Sequence, residues 1–192
     1  METTIPHIVL ERLIRGRALV NVLTIIGASL LIALAAQVAI PIPGSPVPLT
    51  MQPIAVLLVG ITLGSTRGAA AAALYLFEGA SGLPVFAEGN GGILWLTAGL
   101  TAGYLYSYPF AAWLAGFISE RGWASRVVRA VAGMLAALLV IYLGGWAWLA
   151  VHFGAGKAFA MGIGPFLIAD IIKIALAASL LPSAQRLVSR LS

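Results

Sequence analysis

The sequence contains no cysteine, which removes disulfide frameworks, thiolate nucleophiles and iron–sulfur or haem-thiolate centres. Histidine is nearly as scarce. His7 and His152 are the two in the chain and lie far apart, so no metal cluster is expected, and no cofactor. Charge is the third shortage: Asp, Glu, Lys and Arg make up 9% of the 192 residues, against about 25% in a soluble domain. Hydrophobic residues make up 61%, and the mean hydropathy of +1.04 is spread over several long runs. Water is a poor solvent for such a surface. The composition predicts an all-α integral membrane protein and argues against a water-soluble enzyme.

The motifs of catalysis and nucleotide binding are missing too. Gly154-Ala-Gly-Lys157 resembles the end of a phosphate-binding loop, but the earlier glycine and the following Ser or Thr are absent. The chain has no Gly-x-Ser-x-Gly elbow, no His-Glu-x-x-His and no second carboxylate within an apolar span to pair with Asp170. ATP hydrolysis would have to come from another subunit.

Long apolar runs are what the chain does have. A bilayer core about 30 Å thick takes roughly 20 apolar helical residues, and residues 19–40, 98–118, 127–151 and 158–181 meet that length. Between the first two lie the shorter segments 51–64 and 66–77, separated by a turn at Gly64-Ser-Thr-Arg67. A re-entrant hairpin would carry Arg67 into the membrane at a cost of about 2.5–3.5 kcal/mol, so two short spans are expected. The prediction is therefore six transmembrane helices in one bundle forming a single domain over residues 1–192, with residues 1–18 and 182–192 cytoplasmic.

Arginine placement sets the orientation. With the N-terminus inside, Arg12, Arg15, Arg17, Arg67, Arg121, Arg126, Arg129, Arg186 and Arg190 are cytoplasmic and Lys157 is external. This is the asymmetry of a cytoplasmic-membrane protein, and it accounts for the net charge of +5 without a nucleic-acid partner. The arginines before residue 19 could suggest a secretory signal, but the apolar run is too long and lacks a small-residue cleavage site. Ile5, Ile8, Val9, Leu10 and Leu13 give the N-terminal segment an imperfect apolar face for the lipid interface.

Two loops on the predicted outer side are unusual. Residues 40–50 contain four prolines, which restrict φ and remove donors and so favour a stiff, extended segment. Residues 79–94 carry Gly82-Leu-Pro-Val-Phe86 and Gly89-Asn-Gly-Gly92. A structureless loop of that length is usually functional or disordered, although both loops could simply cap short helices. The last span holds Asp170 and Lys173, three residues apart and so on one helical face. Ionisable groups in a membrane span mark a ligand or ion site by default, with a local ion pair that pins helix packing as the plainer alternative. Gly162, Gly164 and Pro165 predict a start or kink just before them. Glu78 reads as a solvated interfacial carboxylate, and His152 as a headgroup-region residue. Tyr104, Tyr106, Tyr108, Trp146 and Trp148 read mostly as belt or packing residues, while Phe86 and Trp95 lie in or beside the external loop and are expected to face a ligand.

Three stretches, Ile40-Pro-Ile-Pro-Gly-Ser-Pro-Val-Pro-Leu-Thr-Met-Gln-Pro53, Gly82-Leu-Pro-Val-Phe-Ala87 and Phe166-Leu-Ile-Ala-Asp-Ile-Ile-Lys173, resemble the BioY family in order and spacing, and the resemblance covers nearly the whole chain. It implies a biotin-specific substrate-binding subunit of an energy-coupling factor (ECF) transporter, embedded in membrane lipid. Its implied partners are a transmembrane coupling subunit and two cytoplasmic ATPase subunits. Biotin has an apolar bicyclic body, a ureido edge and a carboxylate tail, so its pocket should be mostly apolar with a few placed polar groups. The resemblance puts Asp170 and Lys173 in that pocket; charge logic gives Lys173 the carboxylate and Asp170 either the ureido N–H groups or the orienting of Lys173. Pro43, Gly44, Ser45 and Pro46 of the first loop, with Gly82, Leu83, Pro84, Val85, Phe86 and Asn90 of the second, are expected to form wall and lid. A small-residue face on the first helix is the expected dock for the coupling subunit, either Ser29-x-x-x-Ala33 or Ala35-x-x-x-Ala39. Rival readings remain: a subunit for another vitamin, an intramembrane enzyme using Asp170 with Glu78 or His152, or a scaffold in which Asp170 and Lys173 only pack.

Overall fold

A computed structural model describes the backbone of residues 7–123 and 126–191 and the side chains of residues 18–123 and 126–179. The apolar face expected of the N-terminal segment, and arginines 12, 15, 17, 186 and 190, lie outside the described side chains. The described chain is mostly helical. Helix α1 (His7–Gln37) leads into a small hairpin of two-residue strands, β1 (Ala39–Ile40) and β2 (Leu49–Thr50), paired antiparallel with Ala39 opposite Thr50. Then come α2 (Gln52–Leu63), α3 (Ser65–Ala80), the short α4 (Leu94–Thr97), α5 (Ala102–Glu120), α6 (Val127–Phe153), α7 (Ala155–Gly162) and α8 (Leu167–Leu191).

Helix α5 is the hub, packed against α2, α3 and α6, while α1 lies against α3 and α8 against α6. The apposition of α2 and α5 depends on missing side chains: a Cβ on Gly60 would run into the backbone carbonyl of Ala112. Gly64, at φ +84°, is the single residue that joins α2 to α3, a left-handed turn that few other residues adopt without strain. Arg67 sits just beyond this joint, its Nε donating to the Leu63 carbonyl at 3.0 Å and its Nη1 to Asn21 Oδ1 at 3.4 Å. The core includes the fully buried Ile32, Leu57, Tyr75, Met134, Ile141, Leu149 and Ile174. Large apolar side chains also cover the outside, among them Leu34, Val151 and Ile168, each more than two-thirds exposed. A soluble monomer would not display so continuous an apolar surface.

Length and composition qualify two helices to cross a bilayer, Ala18–Gln37 and Val127–Phe153, and a third if the bent pair α7 and α8 counts as one span. The segment expected as one helix over 158–181 is thus broken, with a bend of 47° around Ile163-Gly-Pro-Phe166. Proline cannot donate within a helix and collides with the preceding turn, which fits the kink expected there. Three of the six expected spans do not meet the simple criterion. Helix α2, at 12 residues, is about 18 Å long at 1.5 Å per residue, and α3 has 16 residues with Arg67 in its first turn. Helix α5 carries Tyr104, Tyr106, Ser107 and Tyr108, which lower its hydropathy; of these, Tyr104, Ser107 and Tyr108 are buried within the bundle.

Candidate functional site

The proline-rich loop after α1 and the glycine-rich loop after α3 fold back over one end of the bundle, and each is fastened by a polar side chain. In the first, the turn Ile42–Ser45 closes through the Ser45 N–H donating to the Ile42 carbonyl at 3.0 Å. The Ser45 hydroxyl lies 2.7 Å from the Met161 carbonyl at the end of α7, tying the proline-rich segment to the kinked last helix pair. Only part of this segment is extended; strand pairing folds it into a hairpin. In the second loop, Gln37 at the end of α1 acts as a clamp. Its Nε2 donates to the Phe86 carbonyl at 3.2 Å and, more weakly, to that of Val85 at 3.4 Å, while its Oε1 accepts the Gly89 N–H at 3.0 Å. Phe86 turns inward and is buried, edge-on to Tyr75 with centroids 5.6 Å apart. Its ring occupies the space that a Cβ on Gly79 would need.

Beneath these loops lies a cavity of about 180 Å³. Its apolar wall includes Ile42, Val47, Leu49, Leu105, Ile141 and Phe166, and its polar groups come from Thr50, Gln52, Thr101, Tyr104, Tyr108, Tyr142 and Asp170. An apolar enclosure with a few convergent polar groups has the composition of a small-molecule site.

Asp170 is the anionic centre. It is 4% exposed, and both of its oxygens are engaged: Oδ2 accepts from the Tyr142 hydroxyl at 2.8 Å and Oδ1 from the Lys173 ammonium at 2.9 Å. The same ammonium donates to the Thr50 carbonyl at 2.8 Å, linking α8 to the end of the proline-rich hairpin. A carboxylate offers about four acceptor positions, so two remain for a ligand. On the neighbouring wall, Gln52 donates from Nε2 to the Tyr75 hydroxyl at 2.6 Å, and the Tyr104 hydroxyl donates to the Gly162 carbonyl at 2.7 Å.

Of the residues expected at the site, Ser45, Phe86, Asn90, Trp95 and Asp170 line the cavity, while Pro43, Gly44, Pro84 and Lys173 do not. Gly44 lies in the outer turn at φ +80°, and Pro43 and Pro84 are exposed; these residues shape the loops from outside. Lys173 is not part of the cavity lining, and two of its three N–H donors go to Asp170 and the Thr50 carbonyl. The docking faces expected on α1 are also turned inward. Ser29 and Ala33 are buried, Ala35 packs against the core, and Ala39 lies in β1, beyond the end of the helix.

Glu78 is not the solvated carboxylate expected. Its Oε1 lies 2.9 Å from the Ser29 hydroxyl, and its Oε2 is buried with no hydrogen-bond partner among the described residues. His152 lies against the Trp148 carbonyl at 2.9 Å. Neither residue lines the cavity that holds Asp170, so the three groups of the intramembrane-enzyme reading do not converge.

Sequence alone does not single out Tyr104, Tyr108, Tyr142, Thr50, Thr101 or Gln52 for the site, and Tyr104 and Tyr108 read there as belt or packing residues. Some signals were available. Tyr104 and Tyr108 stand four apart and share a helical face, whereas Tyr106 points elsewhere and donates to the Leu96 carbonyl at 2.7 Å. Tyr142 interrupts an apolar span with a hydroxyl that needs a partner.

A helical bundle with an apolar exterior and a loop-covered cavity holding one buried carboxylate defines a small-molecule-binding membrane protein. Known proteins narrow this class. The model of the BioY family matches residues 10–190. The probable biotin transporter BioY of Pyrococcus horikoshii is 42% identical over 147 residues, covering 77% of this chain and 85% of that one. The biotin transporter BioY of Rhizobium etli is 37% identical over 168 residues, covering 83% and 89%. Among solved structures, the S-component for biotin from an ECF-type ABC transporter superposes with a TM-score of 0.78 at 21% identity, covering 89% of this chain and 93% of that one; the bundle therefore has the S-component fold. The chain belongs to the BioY family.

Proposed function

We propose that this chain binds biotin from the outer side of the cytoplasmic membrane and serves as the substrate-specificity subunit of an ECF-type transporter. The observation that carries the proposal is the cavity roofed by the proline-rich and glycine-rich loops, with Asp170 held at its wall by Tyr142 and Lys173. In this reading Asp170 accepts from the ureido N–H groups, Phe86 and Trp95 cover the apolar ring system, and Asn90 and Ser45 close the mouth. Lys173 positions Asp170. The names of the curated relatives support the same ligand.

Transport needs more than this chain. The sequence lacks a nucleotide-binding motif, and in this reading energy comes from two ATPase subunits acting through a transmembrane coupling subunit. The six spans are α1, α2, α3, α5, α6 and the α7–α8 pair, with the short helices extended by the outer loops and both termini cytoplasmic. The arginine distribution supports this orientation.

Calorimetry of the purified chain with biotin and a panel of other vitamins, together with mass spectrometry of any small molecule that copurifies, tests the ligand. Preference for another vitamin, or no binding, overturns the assignment. Single cysteines in this cysteine-free chain test the topology: labelling of a cysteine at position 45 solely from the cytoplasmic side would overturn it.

A further inference from the structure

Polar atoms on the cavity wall can be sorted by whether the protein already satisfies them. The hydroxyls of Tyr104 and Tyr142 donate to Gly162 and Asp170, the Gln52 amide donates to Tyr75, and the Asn90 amide donates to the Ala87 carbonyl at 2.8 Å. Tyr108 differs. It is 4% exposed and its ring lines the cavity, yet its hydroxyl makes no hydrogen bond among the described residues. That hydroxyl is open to the cavity rather than sealed within protein, so its hydrogen bond is left for an occupant of the cavity.

Tyr108 is also held in place. Its ring lies against Tyr75 with centroids 6.5 Å apart, and Tyr75 is in turn fixed by the Gln52 amide and by the edge contact with Phe86. A donor immobilised before the ligand arrives loses little freedom on binding. One cavity therefore presents an acceptor, Asp170, and an uncommitted donor, Tyr108. A group with N–H donors beside a carbonyl acceptor, as in a cyclic urea, complements both.

Resting on the biotin reading above, we propose that Tyr108 is a specificity-determining residue that donates its hydroxyl to the ureido carbonyl of the ligand. A site built around such a bond rejects analogues that cannot accept it, because the hydroxyl is then stranded.

The test pairs Tyr108→Phe with biotin and 2-thiobiotin, whose thiocarbonyl sulfur is a weak acceptor in the same place. Tyr108→Phe should weaken biotin by about tenfold and 2-thiobiotin by less than about twofold, so the wild-type preference for the oxygen ligand collapses in the variant. Equal losses for the two ligands, or no loss for biotin, overturn the proposal. Should Tyr108→Phe fail to fold, 3,5-difluorotyrosine at position 108 keeps the ring and strengthens the donor. The carbonyl stretch of bound carbon-13-labelled biotin should then fall further in frequency, and an unmoved band overturns the contact. Failure of the wild-type chain to bind biotin at all would instead strike the biotin reading, and calorimetry of the unmodified protein reports that outcome separately.

Discussion

Replacing Lys173 separates a residue that touches the ligand from one that holds another residue in place. Its ammonium is 2.9 Å from Asp170 Oδ1 and 2.8 Å from the Thr50 carbonyl, and the side chains of Lys173 and Asp170 are 15% and 5% exposed. Lys173→Met removes the charge, keeps most of the apolar stem, and leaves a buried carboxylate with Tyr142 as its remaining described partner. Removing one member of a buried ion pair costs about 3–5 kcal/mol, and partial exposure puts this pair at the lower end. Thermal unfolding of the ligand-free protein in detergent should therefore register a loss of about 3 kcal/mol. Binding should weaken by about 10- to 100-fold as Asp170 turns from its acceptor geometry, corresponding to roughly 1.4–2.8 kcal/mol. Because the ammonium does not line the cavity, biotin and its neutral amide should lose the same factor, as measured by calorimetry in a four-way cycle. A loss confined to biotin, with the amide unaffected, would refute the positioning role and place Lys173 on the ligand's carboxylate.

Three other perturbations read other parts of the structure. Gln37→Ala releases the three described contacts that clamp residues 85–89 and should speed biotin dissociation more than it changes association, measured by stopped-flow release; unchanged dissociation would deny the clamp its role. Gly79→Ala forces a methyl group into the space of the Phe86 ring, an overpacking that costs about 1–3 kcal/mol, and unfolding unchanged from wild type would contradict it. Ser29→Ala takes from Glu78 its described hydrogen-bond partner and should cost about 1–3 kcal/mol. Combining it with Glu78→Leu should recover much of that loss, since replacing both partners by apolar groups removes the unmet polar demand, and a double variant less stable than Ser29→Ala would oppose this account.

Composition and local pattern already contain what solvent and backbone chemistry impose. Scarce charge and long apolar runs specify a helical membrane protein, because lipid offers no hydrogen bonds to exposed backbone. Gly164-Pro165 specifies the break between α7 and α8 for an equally local reason, the missing N–H and the ring clash. The spacing of Asp170 and Lys173 sets them one turn apart on α8, whatever surrounds that helix. Tertiary structure alone decided which wall each side chain faces. It turned Tyr104 and Tyr108 from apparent packing residues into cavity lining, brought Tyr142 to the same wall, buried Ser29 and Ala33 between helices, and drew Lys173 to the Thr50 carbonyl, 123 residues away in sequence. Such outcomes depend on competition among acceptors and faces brought together from distant segments, and neither hydropathy nor residue spacing carries the distance between an ammonium and a carbonyl on a distant strand.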